Sequence, residues 1–272
     1  MKKNAFFIVT VTLLCLPLIF VNYSCNKDSV NKIINALGLS KEEIAEGLTV
    51  ALDTAARDAS HLGNKVNGFL KNELIRLALP EDLQPVMKLV DLTKKNPITA
   101  YLAKPLEATV QSFVTSLNRS AEAAAGKAFP IFSSAIKSMT ITDALGILQG
   151  SDSAATHYLR SKTTLPLTEA FSPVCKEMIA KCGVTNEYEN LANKYNEVLG
   201  NPVVAAAAAV LDLPKKLNTD LPKYVTGKAL DGMYILMRGE EKKIRDNPQQ
   251  YASDIIQKVF GSKEAKEKKQ NQ

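Results

Sequence analysis

The chain has 272 residues, 46% hydrophobic and 23% charged, with a formal charge of +6 and a pI near 9.0. This composition excludes collagen-like, disulfide-dense and intrinsically disordered classes, and the length suffices for a sizeable core. Two of the six charges are Lys2 and Lys3, ahead of any acid; two more come from Lys263, Lys266, Lys268 and Lys269 against Glu264 and Glu267. Residues 25–261 carry only the remaining +2, poor support for binding a nucleic-acid backbone.

Residues 1–24 read as a lipoprotein-type signal peptide. Met1–Asn4 is a short positive segment and Ala5–Val21 an apolar run, interrupted by Pro17 and shorter than a typical spanning helix. Ser24 then places a small residue directly before Cys25. The pattern resembles a bacterial lipoprotein signal, in which this cysteine is lipidated and becomes the mature N-terminus. Residues 25–29 would then be the anchor and a short polar tether, and two acyl chains already suffice for stable anchoring. The expected location is the bacterial cell envelope, periplasm or outer membrane.

Export would place the remaining cysteines, Cys175 and Cys182, in a potentially oxidising compartment. They lie seven apart on one expected helix, so their Cα atoms are about 10 Å apart, beyond the ~7 Å reach of a disulfide. Both are read as small buried thiols. With only His61 and His157 in the chain, they find no further ligands for a metal site.

Residues 30–261 read as one all-helical domain of about nine to eleven helices. Val30, Ile33, Ile34 and Leu37 have helical spacing, and Gly38 stops that segment. Ser40–Glu43 is a capping box opening a helix with Ile44, Leu48, Ala51, Leu52 and Ala55 on its apolar side. His61–Gly68 reads as a loop. A helix follows Pro80 through Val86, Leu89 and Val90. The strongest runs over 106–127 with Val110, Phe113, Val114, Leu117, Ala121 and Ala124 buried; Pro105 either starts it or kinks one that begins near Thr99.

Thr140–Asp143 is a second capping-box start, and Gly150 closes that helix. Asp152 or Ser153 is expected to cap another through Leu159, with a separate helix over 168–182 and one over 186–199. Residues 203–211, with five consecutive alanines, are too short to span a bilayer and read as a closely packed internal helix. Asp220 caps a long helix through Met237, and Asn247-Pro248 starts the last, with Ile255, Ile256, Val259 and Phe260 facing inward. The lysine-rich tail, 262–272, is expected to be disordered.

Several segments together resemble a bacterial family known as domain of unknown function 4197. They are Leu117–Glu122 (Leu-Asn-Arg-Ser-Ala-Glu), Met139–Ala144, Ile147–Gly150, Ala154–Tyr158, Leu167–Pro173, Tyr224–Gly232 (Tyr-Val-Thr-Gly-Lys-Ala-Leu-Asp-Gly), Glu240–Arg245 and Lys258–Gly261. The match runs in order over roughly 30–261. The resemblance implies an exported helical protein and supplies no activity.

Candidate site residues cluster in two places. In Met139–Thr164, Asp143, Asp152, Thr156 and Tyr158 could hydrogen-bond a ligand and Arg160 could hold an anion; helix capping explains the same spacings without one. Asn118, Arg119 and Glu122 lie one turn along the long helix, as a pocket edge or a structural pair. Glu241 and Arg245 at i, i+4 read as structural. Gly-x-Ser-x-Gly, HExxH, Walker, dinucleotide and calcium-loop patterns do not occur, so neither a cofactor nor a metal is implied. The leading expectation is a lipid-anchored binding or scaffolding module, with the membrane and an unidentified protein or small molecule as partners. The alternatives are a carrier of an apolar ligand between helices and a hydrolase using Asp143 and Asp152.

Overall fold

The computed structural model describes residues 38–148 and 150–261; the leader, Cys25, the 30–37 segment and the lysine-rich tail lie outside them. Ten α-helices and two short 3-10 helices make up these residues. In chain order they are α1 (Lys41–Asn64), a 3-10 turn (Glu81–Leu83), α2 (Gln84–Lys95), α3 (Ala100–Ala125), α4 (Phe129–Lys137) and α5 (Ile141–Leu148). Then come α6 (Ala154–Lys181), α7 (Val184–Leu199), α8 (Pro202–Val210), α9 (Leu221–Asp246), a second 3-10 turn (Pro248–Gln250) and α10 (Asp254–Phe260). The chain is all-α, as its periodicity predicts.

Four long helices, α1, α3, α6 and α9, organise the core. α9 packs along both α1 and α6, while α3 lies against α1, α2, α6, α7 and α9. Small residues permit the closest approaches. A methyl added at Gly232 of α9 would stand 2.6 Å from the Phe69 ring, and one at Gly63 of α1 would stand 2.9 Å from the Ala125 side chain. Phe69, Phe113, Phe132, Phe171 and Tyr195 fill the centre, where large side chains contribute most of the burial energy.

The starts of helices follow the expected caps. Ser40 and Glu43 exchange both capping-box bonds, Thr140 and Asp143 do the same ahead of α5, and the Asp220 side chain accepts from the Lys223 amide. Elsewhere packing overrides local signals. α1 continues through His61–Asn64, because Ala59 and Gly63 are still buried there. α3 begins at Ala100 and takes Pro105 into its second turn. The two expected helices over 153–182 are one, with Pro166 and Pro173 inside it. α4 lacks any side-chain cap, and Pro130 in its first turn is the local mark of its start. At the other end, a 3-10 turn precedes a last helix that begins only at Asp254.

The largest departure concerns α8. The expected internal helix buries only Val204 and Ala208 against α2 and α7; the rest of its apolar surface faces outward.

Two of the three glycines of α9, Gly232 and Gly227, should respond oppositely to alanine. Gly232→Ala must displace the buried Phe69 ring, and overpacking of this kind costs about 1–3 kcal/mol. A Cβ at Gly227 meets nothing within 4 Å, so Gly227→Ala should stabilise α9 by about 0.5–1 kcal/mol through helix propensity. Thermal denaturation of both variants checks this; equal shifts of the same sign would contradict the packing described.

Candidate functional site

Residues 65–80 form the only long non-helical stretch between α1 and α8 among the described residues, and the polar side chains of α3 hold it in place. Asn118 is fully buried. Its amide accepts from the Leu77 N–H at 2.9 Å and donates to the Leu77 carbonyl at 2.8 Å, pairing both groups of one residue as a neighbouring strand would. One turn on, Glu122 Oε1 accepts from the amides of Phe69 and Leu70 at 3.2 and 3.1 Å. Its other oxygen meets Arg119 at 2.5 Å, and Arg119 also donates to Asn67, a residue with positive φ, at 3.0 Å. Each buried amide is thereby satisfied, and the buried carboxylate has its counter-ion.

The same device recurs on α9. Buried Glu241 accepts from the amides of Ala155 and Thr156 at 3.1 and 2.9 Å and from the Thr156 hydroxyl at 2.8 Å. These are free amides at the start of α6, where a negative charge is favoured by the helix dipole. Arg245 holds the carboxylate through Nε and Nη2 at 3.0 and 2.9 Å, and its guanidinium lies over the Phe260 ring at 5.4 Å. Ser153 occupies the N-cap position without a side-chain cap bond. Asp152 instead pairs with Lys242 at the surface, 3.4 Å away. The cap expected from Asp152 or Ser153 is therefore supplied by Glu241, from a helix 85 residues further along.

The remaining candidates divide between two further places. Asp143 caps α5 with Thr140 and hydrogen-bonds the Tyr158 hydroxyl. Partial burial pulls the Asp143 carboxyl upward, but the bonds from Thr140 and Tyr158 and the charge of Lys162 bring it below its usual range. Burial first, and then the same aspartate, push the Tyr158 phenol up to about 12. Arg160 is ion-paired with Asp231 of α9 and lies over the Tyr234 ring.

Of these candidates, only Arg160 borders an open groove on the surface. This groove, of about 930 Å³, runs between residues 74–82 and the first half of α9. Its floor is apolar (Ile75, Leu79, Pro80, Ile235), and its α9 wall is Tyr224, Gly227, Lys228, Asp231 and Gly232. Charges of both signs stand along it, Arg76, Lys223 and Lys228 beside Glu81, Asp82, Asp220 and Asp231. The Tyr224 hydroxyl donates to the Ala78 carbonyl at 2.8 Å and fixes the distance between the walls. The spacing i, i+3, i+4, i+7, i+8 from Tyr224 to Gly232 is a helix face without aliphatic side chains, beside the buried stripe of Val225, Ala229 and Met233. That signal was present in the sequence, but the opposite wall was not.

Cys175 is buried and Cys182 half-buried, both as free thiols. Burial pushes the Cys175 thiol up to about 11, with the Thr226 hydroxyl working weakly the other way. Burial and the charge of Glu122 raise Cys182 as well. Neither is poised as a nucleophile.

The fold and the groove define an all-α protein with a surface cleft and with most of its sequence-prominent polar residues committed to internal contacts. The chain belongs to the family described as Protein of unknown function (DUF4197), whose model matches residues 38–261. No curated protein and no solved structure matches it.

Removing the Glu241 carboxylate leaves two buried amides without a partner and Arg245 with only the Ile147 carbonyl, 3.5 Å away. Glu241→Ala should cost about 3–5 kcal/mol, whereas Asp152→Ala, losing one exposed pair, should cost under about 1 kcal/mol. Urea denaturation separates the two; comparable losses would deny the clamp its role. Because native Cys175 keeps its proton above the ordinary thiol value of 9.0, its contribution to stability is complete below pH 9 and declines as pH rises toward about 11. Native protein at pH 9.5 should leave Cys175 unlabelled by a thiol reagent, while denatured, unreduced protein is labelled at both Cys175 and Cys182, as peptide mapping will read.

Proposed function

We propose that this is a lipid-anchored protein of the bacterial cell envelope that acts by binding a partner, with the groove between residues 74–82 and α9 as its binding face. The anchor reading rests on the leader pattern and Cys25. The binding reading is supported by one observation above the others: α9 carries a glycine, Gly227, on an open groove wall where no neighbour requires it. Glycine in a helix interior costs about 1 kcal/mol relative to alanine, and the gain on this wall is close approach of a ligand to the helix backbone. Opposite it, Leu74, Arg76 and Ala78 are exposed in alternation with buried Ile75, Leu77 and Leu79. An apolar floor flanked by both signs of charge fits an extended segment of a partner protein.

The alternatives draw less support. The enclosed apolar space bounded by Leu48, Leu52, Ala155, Ile244 and Phe260 holds about 10 Å³, room for roughly one water-sized probe and not for an apolar ligand. Asp143 and Asp152, the carboxylates of the hydrolase reading, are engaged separately with Thr140 and Lys242.

Cys25→Ala should move the protein from the membrane to the soluble fraction, and unchanged fractionation would overturn the anchor. For the groove, a photo-crosslinking amino acid at Lys228 should give a discrete adduct in cells. Adding Gly227→Arg, which projects into the groove without disturbing the core, should abolish it. The same adduct from a crosslinker at Glu197, exposed on α7, would refute the assignment.

A further inference from the structure

α8 turns an uncharged aliphatic face outward. Pro202, Val203, Ala205, Ala206, Ala209 and Val210 are exposed, with Val210 at 86%, and Leu211 follows at 49%. From Leu199 to Leu211 the chain carries no charged side chain. Aliphatic surface gathered on one helix in this way marks an interaction site. Two exposed lysines, Lys215 and Lys216, follow immediately, against one acid, Asp212. The connection bearing them is fixed to α7, since the Tyr195 and Tyr188 hydroxyls donate to the carbonyls of Pro214 and Leu217 at 2.8 and 3.0 Å. The apolar face and the cations are thus presented together on a rigid support.

We infer that α8 and Lys215-Lys216 form a membrane-contact surface that lays the body against anionic phospholipid. The inference builds on the anchor reading: twelve residues lie between Cys25 and Gly38, and the thirteen steps from one to the other span at most about 45 Å at full stretch. A tether of that length keeps the body close to the bilayer, and a patch too weak to bind membranes alone then suffices to set orientation. Aliphatic side chains bordered by lysine match the boundary between acyl chains and acidic headgroups. A second copy of the chain is a poorer fit. A nine-residue helix offers a face about 14 Å long and about 10 Å wide, far below the roughly 800 Å² per partner of a stable interface.

The chain contains no tryptophan, so a single introduced one reports its own surroundings. The full chain with Cys25→Ala, held on vesicles of equal phosphatidylcholine and phosphatidylglycerol by a C-terminal histidine tag and nickel-chelating lipid, tests α8 independently of lipidation. The emission of Val210→Trp should move to shorter wavelength on these vesicles and be quenched by acyl chains brominated near the headgroup. Val66→Trp, exposed in the α1–α2 connection, should show neither change. Adding Lys215→Glu and Lys216→Glu should remove most of the quenching. Emission of Val210→Trp that stays at its solution value overturns the inference. A blue shift without bromolipid quenching also overturns it, in favour of a second copy, as does equal quenching of both reporters. Failure of Cys25→Ala to leave the membrane fraction would count against the anchor alone.

Discussion

Two buried carboxylates do what the helices cannot do for themselves. Glu122 and Glu241 each accept two backbone amides from a distant part of the chain, and each is neutralised by an arginine one turn further along or back on its own helix. Burying a carboxylate is costly unless it is paired and its lone pairs are used. Here both conditions hold, so the cost is converted into fixed geometry. Glu241 sets where α6 begins, although α6 lacks a side-chain cap of its own. Glu122, with Asn118, sets where residues 65–80 run, although that stretch has no secondary structure to position it.

The groove depends directly on this arrangement. One wall is a segment whose internal bonds are limited to a few turns, and its exposed alternation of Leu74, Arg76 and Ala78 exists because Leu77 is gripped from behind through both its N–H and its carbonyl. The opposite wall is α9, which rests on α1 and α6. Tyr224 spans the two. A groove assembled from a clamped loop and a long helix holds its width without a disulfide, and the two free thiols, one buried and one half-buried, sit elsewhere.

Much of the helical architecture was legible because helix periodicity is a local property, and the Ser40, Thr140 and Asp220 caps lie within four residues of the amides they serve. What could not be read was non-local. The pairing of Glu241 with the start of α6 spans 85 residues, so the sequence offered Asp152 and Ser153, adjacent and of the right type, in its place. Asn118, Arg119 and Glu122 were recognisable as a polar group on an apolar helix, yet whether they faced a pocket or a loop depended on where residues 67–77 fell. The error over α8 has a different origin. An alanine-rich, charge-free segment is apolar all round, and such a helix carries no periodic signal to say which side, if any, is covered.

The segments that carry the family resemblance can be sorted by what they now do. Leu117–Glu122 positions a loop and Glu240–Arg245 positions a helix start, which accounts for their residue types by folding alone. Tyr224–Gly232 cannot be explained in the same way throughout. Val225, Ala229 and Leu230 are core, Gly232 is demanded by Phe69, and Tyr224 ties the loop. Gly227 and Lys228 meet none of these needs. Glycine at 227 weakens the helix it sits in, and Lys228 projects into the same open space. The two stand side by side on the wall of a groove whose other side the Asn118 and Glu122 clamp holds in place, and the contacts of the fold leave the identity of both free.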